Sequence, residues 1–245
     1  MQSAAIQRLE RLLQGRKLDG TLASAAPAAW TRVLPTGIEP LDATLGGGWR
    51  QGEISELIGR QSSGRTSLLI ATLAAATRRG GLVGLVDAFD RFDPRLSAQA
   101  GLDLDRVLWV RGAALTVEGL RPRAPGLRRG TAYPDLAVRN ALRAFDLIVR
   151  AGGFSIAALD FGDVPNEWLR QLPFTTWMRL AHANEGRDTV GLLIGEAPIG
   201  KSARGASVRL ETSARWTGDS PQSRRFAGFA VQANVAKSHV LLSRS

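Results

Sequence analysis

Nine consecutive residues have the types and spacing to do chemistry: Gly59-Arg60-Gln61-Ser62-Ser63-Gly64-Arg65-Thr66-Ser67. They keep every fixed position of the phosphate-binding pattern G-x-x-x-x-G-K-[ST] except one, where Arg65 stands for lysine. In that pattern backbone N–H groups wrap a phosphate chain, and the next helix turns its positive N-terminal end toward the same charge. Gly59, Gln61, Ser62, Ser63, Gly64, Arg65, Thr66 and Ser67 are therefore the candidate nucleotide-binding residues. Thr66 offers a hydroxyl to Mg²⁺. Lysine is a compact point charge and arginine a longer planar fork, so the exchange is not conservative in a tight cradle. Arg65 could still hold a triphosphate through paired contacts. A misplaced terminal phosphate would react slowly, because small displacements cost large rate factors. Two readings stay open at this point. One is a cradle for ATP and Mg²⁺ with slow or absent hydrolysis; the other is a loop that only packs.

Such a loop needs a strand before it and a helix after it. Residues 53–58 read as the strand and residues 67–76 as an apolar helix. Ile156-Ala157-Ala158-Leu159 runs into Asp160, placing a carboxylate at a strand's end, where a Mg²⁺-orienting aspartate belongs. Residues 82–87, 106–110, 154–160 and 189–194 read as further strands. Residues 135–151 read as a helix with Leu136, Val138, Leu142, Phe145 and Ile148 on one face, and residues 166–183 as another. Trp168 and Trp177 would lie on opposite faces of that second helix, roughly 180° apart. The βαβ rhythm predicts an α/β fold with a mostly parallel central sheet flanked by helices. Beyond Gly205 the rhythm changes. Residues 207–215 and 226–242 read as antiparallel strands extending one edge. At the other end, residues 4–13 read as a short helix with Ile6, Leu9, Leu12 and Leu13 in one stripe, and residues 15–29 as a Gly/Ala/Pro/Ser-rich linker. The expected division is an arm, 1–29, and a core domain, 30–245. The arm helix needs a surface to pack on, either its own core or another subunit.

Composition narrows the chemistry. The chain has 245 residues, 44% of them hydrophobic, enough for a sizeable core. It has no cysteine, which excludes disulfides and thiol catalysis, and only His182 and His239, which argues against a histidine-rich metal site. No apolar run reaches the roughly 18 residues of a membrane span, and the N-terminus does not read as a secretory signal. A cytoplasmic, nucleoid-associated protein is the expectation. The net charge of +10 suggests an anionic partner, although all but three of the 32 basic residues are arginine, which base composition alone can produce. Arg121, Arg123, Arg128 and Arg129 cluster in a Pro/Gly-rich stretch, either a solvated loop or a contact with a partner or DNA.

The runs Leu34-Pro35-Thr36-Gly37-Ile38-Glu39-Pro40-Leu41-Asp42, Leu45-Gly46-Gly47-Gly48-Trp49 and Gly52-Glu53-Ile54, the loop itself, and Val86-Asp87-Ala88-Phe89-Asp90-Arg91-Phe92-Asp93-Pro94 resemble the RecA recombinase core. The similarity covers roughly residues 30–239 and is most specific over 36–94. It implies a RecA-like P-loop core, with Asp93 as an adenine contact and Asp160 beside Thr66 at the metal. It also exposes departures. Phe89 stands at the position of the glutamate that activates water, so no catalytic residue is expected there. Leu96 replaces a tyrosine that stacks on adenine. Glu196 replaces a sensor glutamine, and its charge would repel a γ-phosphate. The first DNA-binding loop shrinks to Phe161-Gly162-Asp163-Val164-Pro165, and the second to residues 197–206 with Lys201 and Arg204. Lys237 falls near the position of lysines that, in that family, reach a neighbour's nucleotide. The N-terminal helix and linker resemble a self-assembly arm, and the insert 119–134 has no counterpart.

This combination resembles the ImuA family, RecA-like accessories of the SOS response and mutagenic translesion synthesis. The resemblance implies three partners: an ImuB-like Y-family polymerase homologue, an error-prone replicative-type DNA polymerase and, for some members, RecA itself. DNA binding would then be weak or indirect. Two other functions compete with a binding module: an ATP-driven recombinase acting on single-stranded DNA, and a RecA-fold ATPase of another kind.

Overall fold

Mostly apolar runs, rather than alternating ones, build the centre of the molecule. β3 (Ile54–Gly59) and β7 (Val190–Gly195) are buried along their whole length, although β3 carries Ser55 and Glu56 in its middle. β4 (Leu82–Asp87) is buried after its first residue, and β6 (Phe154–Asp160) through its middle. Strands read this way when helices cover both faces of a parallel sheet. The computed structural model describes residues 32–112, 133–162, 164, 166–200, 205–218 and 223–236. The arm, the Arg121–Arg129 cluster, Lys201, Arg204 and Lys237 lie outside the described residues.

The main sheet has seven strands in the order β5-β4-β6-β7-β3-β8-β9, where β5 is Val107–Arg111, β8 is Ser207–Thr217 and β9 is Arg225–Ala236. Every pairing from β5 through β8 is parallel, and only β8 with β9 is antiparallel. The expected antiparallel extension is thus present, with one refinement. β8 itself runs parallel to β3, so the reversal comes from the β8–β9 hairpin alone. A separate two-stranded ribbon joins β1 (Val33–Leu34) to β2 (Trp49–Arg50). Between them sits α1 (Glu39–Leu45), which starts at Pro40 in its first turn and ends on Gly46 in the left-handed region.

Two apolar clusters separate on the faces of the sheet. One gathers Leu68, Leu69 and Leu73 of α2 (Arg65–Arg78) with Leu57, Leu85, Ile156 and Leu192. The other gathers Val138, Leu142, Phe145 and Ile148 of α4 (Tyr133–Ala151) with Val86, Leu159 and Leu193. Of the face expected on that helix, Leu136 is the exception: it is exposed. α3 (Pro94–Gln99) is a short helix after β4.

One sequence expectation fails. The helix read over residues 166–183 is two helices, α5 (Asn166–Arg170) and α6 (Phe174–Asn184), with Pro173 at the break as the N-cap of α6. Proline lacks an N–H and biases the preceding residue away from the helical region. Trp168 and Trp177 therefore do not oppose each other on one helix. Trp177 is buried, and Trp168 is half-buried against the same apolar cluster. Among the described residues, no helix is long and apolar enough to cross a membrane.

Candidate nucleotide-binding groove

The carboxyl ends of β3, β4, β6 and β7 share one edge of the sheet, the edge where open α/β folds bind ligands. The loop between β3 and α2 crosses that edge. Its shape depends on two residues in the left-handed region, Ser62 at φ 62° and Gly64 at φ 90°. Ser63 N donates to Arg60 O at 3.0 Å, closing the turn. Gly59 is a close approach: a Cβ there would sit 2.1 Å from Ser63 Oγ. Ser63 Oγ is buried, with no hydrogen-bond partner among the described residues. Thr66 and Ser67 are exposed at the first turn of α2. That is the cradle a phosphate chain needs: a tight loop, an α-helix start and open hydroxyls.

The groove beside the loop has a volume of about 680 Å³, inside the roughly 300–1,000 Å³ range of ligand pockets. It has a polar end and an apolar end. Ser62, Arg65, Thr66, Asp87 and Asp160 form the first; Leu69, Ile70, Phe92, Leu96 and Ala100 line the second. Phosphates suit the polar end and a base the apolar end. The structure thus brings Gln61, Ser62, Gly64, Arg65, Thr66, Ser67, Asp93 and Asp160 to one groove, whereas Gly59 and Ser63 shape the loop from beneath.

Arg65 departs from the role that the loop pattern suggests. Its side chain is 7% exposed, and Nη1 donates to Gly59 O at 2.5 Å. The guanidinium is thus tied back to the carbonyl at the start of the loop, while the residue still lines the groove.

The carboxylates of the groove are tied to backbone. Asp87 Oδ2 accepts from Phe92 N at 2.8 Å, and Asp160 Oδ1 from Gly162 N at 2.7 Å. Asp93 caps α3, its Oδ1 accepting from Arg95 N at 2.9 Å and Leu96 N at 3.0 Å. Leu96 is 63% exposed, an aliphatic wall rather than a stacking ring. Phe89 is 2% exposed and belongs to the apolar cluster around α4. Glu196 follows the last residue of β7, and its carboxylate lies 3.9 Å from Arg60 Nε.

Sequence reasoning missed the strap that shapes the apolar end. Asp90, at φ 58°, receives Arg111 Nε and Nη2, each at 2.8 Å. Arg111 stacks on Trp109 at 4.6 Å, and Trp109 meets Phe92 edge-on at 5.1 Å. The hydrogen bond from Arg111 holds the Asp90 carboxyl below its ordinary range. The same partner raises the Arg111 guanidinium. No periodicity announces these contacts, because they join a loop to the edge strand β5.

Fold and groove together define a P-loop α/β protein with an altered phosphate cradle. Comparison with known proteins makes the class more specific. Residues 4–113 match the RecA N-terminal domain. The chain is 31% identical over 129 residues to Protein RecA of Francisella philomiragia, across 52% of this chain and 29% of that protein. It is 32% identical over 129 residues to Protein RecA of Francisella tularensis subsp. novicida, across 52% of this chain and 30% of that protein. The matched stretch therefore spans under a third of these curated relatives. A solved structure described as the RadB recombinase is 17% identical, covers 73% of this chain and 83% of its own, and has a TM-score of 0.49. Over residues 4–113 the chain is thus similar to the RecA N-terminal domain.

Proposed function

We propose that this protein is a RecA-like accessory that binds nucleotide without turning it over efficiently and works through contacts with other proteins. The observation that carries the reading is Phe89, buried to 2% exposure in the apolar core just beyond Asp87 at the end of β4. A phenyl ring in that place accepts no proton. The carboxylates that do line the groove, Asp87, Asp93 and Asp160, each accept a backbone N–H. A general base must reach the attacking water; none of the three stands where Phe89 does, and each also anchors a loop or a helix start.

The groove supports the binding half of this reading. Ser62, Gly64, Thr66 and Ser67 would hold the phosphates of a nucleotide, and Thr66 with Asp160 would hold Mg²⁺. The metal would draw off phosphate charge when bound. Asp93, between its helix cap and the groove, would face the base.

Among RecA-like cores, the resemblance to the ImuA family points to a role in DNA repair, within the SOS response and translesion synthesis. The proposed partners are an ImuB-like Y-family polymerase homologue, an error-prone replicative-type polymerase and RecA. The short connection from β6 to α5 supports this reading, because Asp160 and Asn166 leave little chain between them for a grip on DNA.

Two measurements test the proposal on the full chain. ATP turnover with single-stranded DNA should stay near background, and Asp160→Ala should not lower it further. Turnover typical of an active recombinase, lost on that substitution, would favour the recombinase reading instead. Copurification with each proposed partner should retain the chain; failure with all three would remove the accessory role.

A further inference from the structure

We infer that the groove selects a nucleoside diphosphate over the triphosphate; this rests on the nucleotide-binding reading above. Three observations lead to it, and the first is topological. β7 lies between β3, which carries the loop, and β6, which carries Asp160. Gly195 pairs in register with Ile58, and Ile194 with Asp160. Glu196, the next residue, therefore leaves the sheet beside Gly59, between the loop and Asp160. With the first phosphates held at Thr66 and Ser67, a third would extend along this edge of the sheet.

The second observation concerns charge. The Glu196 side chain is 45% exposed, so its carboxylate stands at the surface of this edge. Its contact at 3.9 Å is with Arg60, whose side chain is 91% exposed and is screened by solvent. A third phosphate adds negative charge near a carboxylate that this partner neutralises only weakly.

The third is the cation of the loop. Arg65 is the residue that the loop pattern assigns to the terminal phosphates. Here it is buried and donates to Gly59 O. Turning Nη1 onto a third phosphate would break that bond. The first two phosphates need no such change, since the start of α2 with Thr66 and Ser67 is open to them.

Calorimetric titration of the full chain in Mg²⁺ tests the inference. The ligands are ADP and the β,γ-imido analogue of ATP, which removes hydrolysis from the comparison. ADP should bind at least tenfold more tightly. Glu196→Gln, which removes charge and keeps volume at an exposed position, should shrink that ratio to about threefold or less. Equal affinities, or tighter binding of the triphosphate analogue, would overturn diphosphate selection and leave nucleotide binding intact. A ratio unmoved in the glutamine variant, with its melting curve unchanged, would overturn Glu196 as the source. Binding of neither ligand would overturn the inference and the nucleotide reading together.

Discussion

Asp87 and Asp160 stand side by side, paired in register at the carboxyl ends of β4 and β6. Both line the groove. Parallel pairing makes this neighbourhood obligatory: two adjacent strands that each end on aspartate must present two carboxylates together. The two aspartates are not equivalent, though. Asp87 is 3% exposed and holds Phe92 N, whereas Asp160 is half-buried and holds Gly162 N at the surface of the groove.

That difference separates two substitutions. Asp160→Asn should abolish most of the Mg²⁺-dependent part of nucleotide affinity, about tenfold, with little change in melting temperature. Asp87→Asn should weaken the anchor of a buried loop and lower stability by about 1–3 kcal/mol. Nucleotide titration with Mg²⁺ and with chelator, beside urea denaturation of each variant, reads both effects. Equal losses of stability would contradict the assignment.

The loop makes a second prediction. A methyl group on Gly59 would meet Ser63 Oγ at 2.1 Å and Leu210 O at 3.2 Å, so Gly59→Ala must deform the turn. At Gly64 the nearest neighbour is Val231, at 3.6 Å, and the obstacle is φ 90° alone. Placing alanine at positive φ costs roughly 1 kcal/mol or more. Gly59→Ala should therefore abolish nucleotide binding, and Gly64→Ala should weaken it several-fold. The same titration ranks them, and the reverse order would show that Gly59 does not set the cradle.

The strap from Asp90 to Arg111 gives a pH dependence. The folded Asp90 carboxyl is held low, first by its hydrogen bond from Arg111. A group with a lowered folded value stabilises the fold above its unfolded value and loses that contribution as pH falls through the folded one. Arg111 is shifted upward and stays charged throughout. The stack of Arg111 on Trp109 should then hold unchanged from neutral pH down to about 4 and loosen only below the ordinary value of 3.8. Asp90→Asn should produce the acid-type Trp109 indole signal already at neutral pH. A titration followed by NMR on that indole checks it; loosening near pH 6 would refute the strap.

Much of this fold was legible in the sequence, for a physical reason. Buried parallel strands such as β4 and β7 are nearly continuous apolar runs, and α2 and α4 carry apolar faces at helical spacing. Composition and period therefore marked them. Short elements carried too few residues to show a period: β1 and β2 have two residues each, and α3 has six. The break at Pro173 was visible as a residue, yet the apolar pattern of α5 and α6 runs across it and hid it. In the groove, the loop and Asp160 could be read from spacing. The inward turn of Arg65 and the strap through Trp109 could not, since both are made by contacts that no local pattern encodes.

Glu56 belongs to the same unreadable class and carries the last prediction. It lies in the middle of β3 at 6% exposure, an acidic side chain among buried neighbours. Oε1 accepts from Ile199 N at 2.8 Å and from Gly200 N, and Oε2 accepts from Ser207 Oγ at 3.2 Å. A buried carboxylate is tolerated because its oxygens are satisfied. It thereby ties the chain leaving β7 and the start of β8 to the strand that precedes the phosphate loop. Glu56→Gln keeps one carbonyl oxygen for the two N–H groups and should cost about 1–2 kcal/mol. Glu56→Leu strands both N–H groups and should cost more, about 3 kcal/mol. Amide exchange at Ile199 and Gly200 should quicken in both variants while β4 and β6 stay protected. If exchange at those two amides is unchanged in Glu56→Leu, the carboxylate is not what fixes this segment beside the groove.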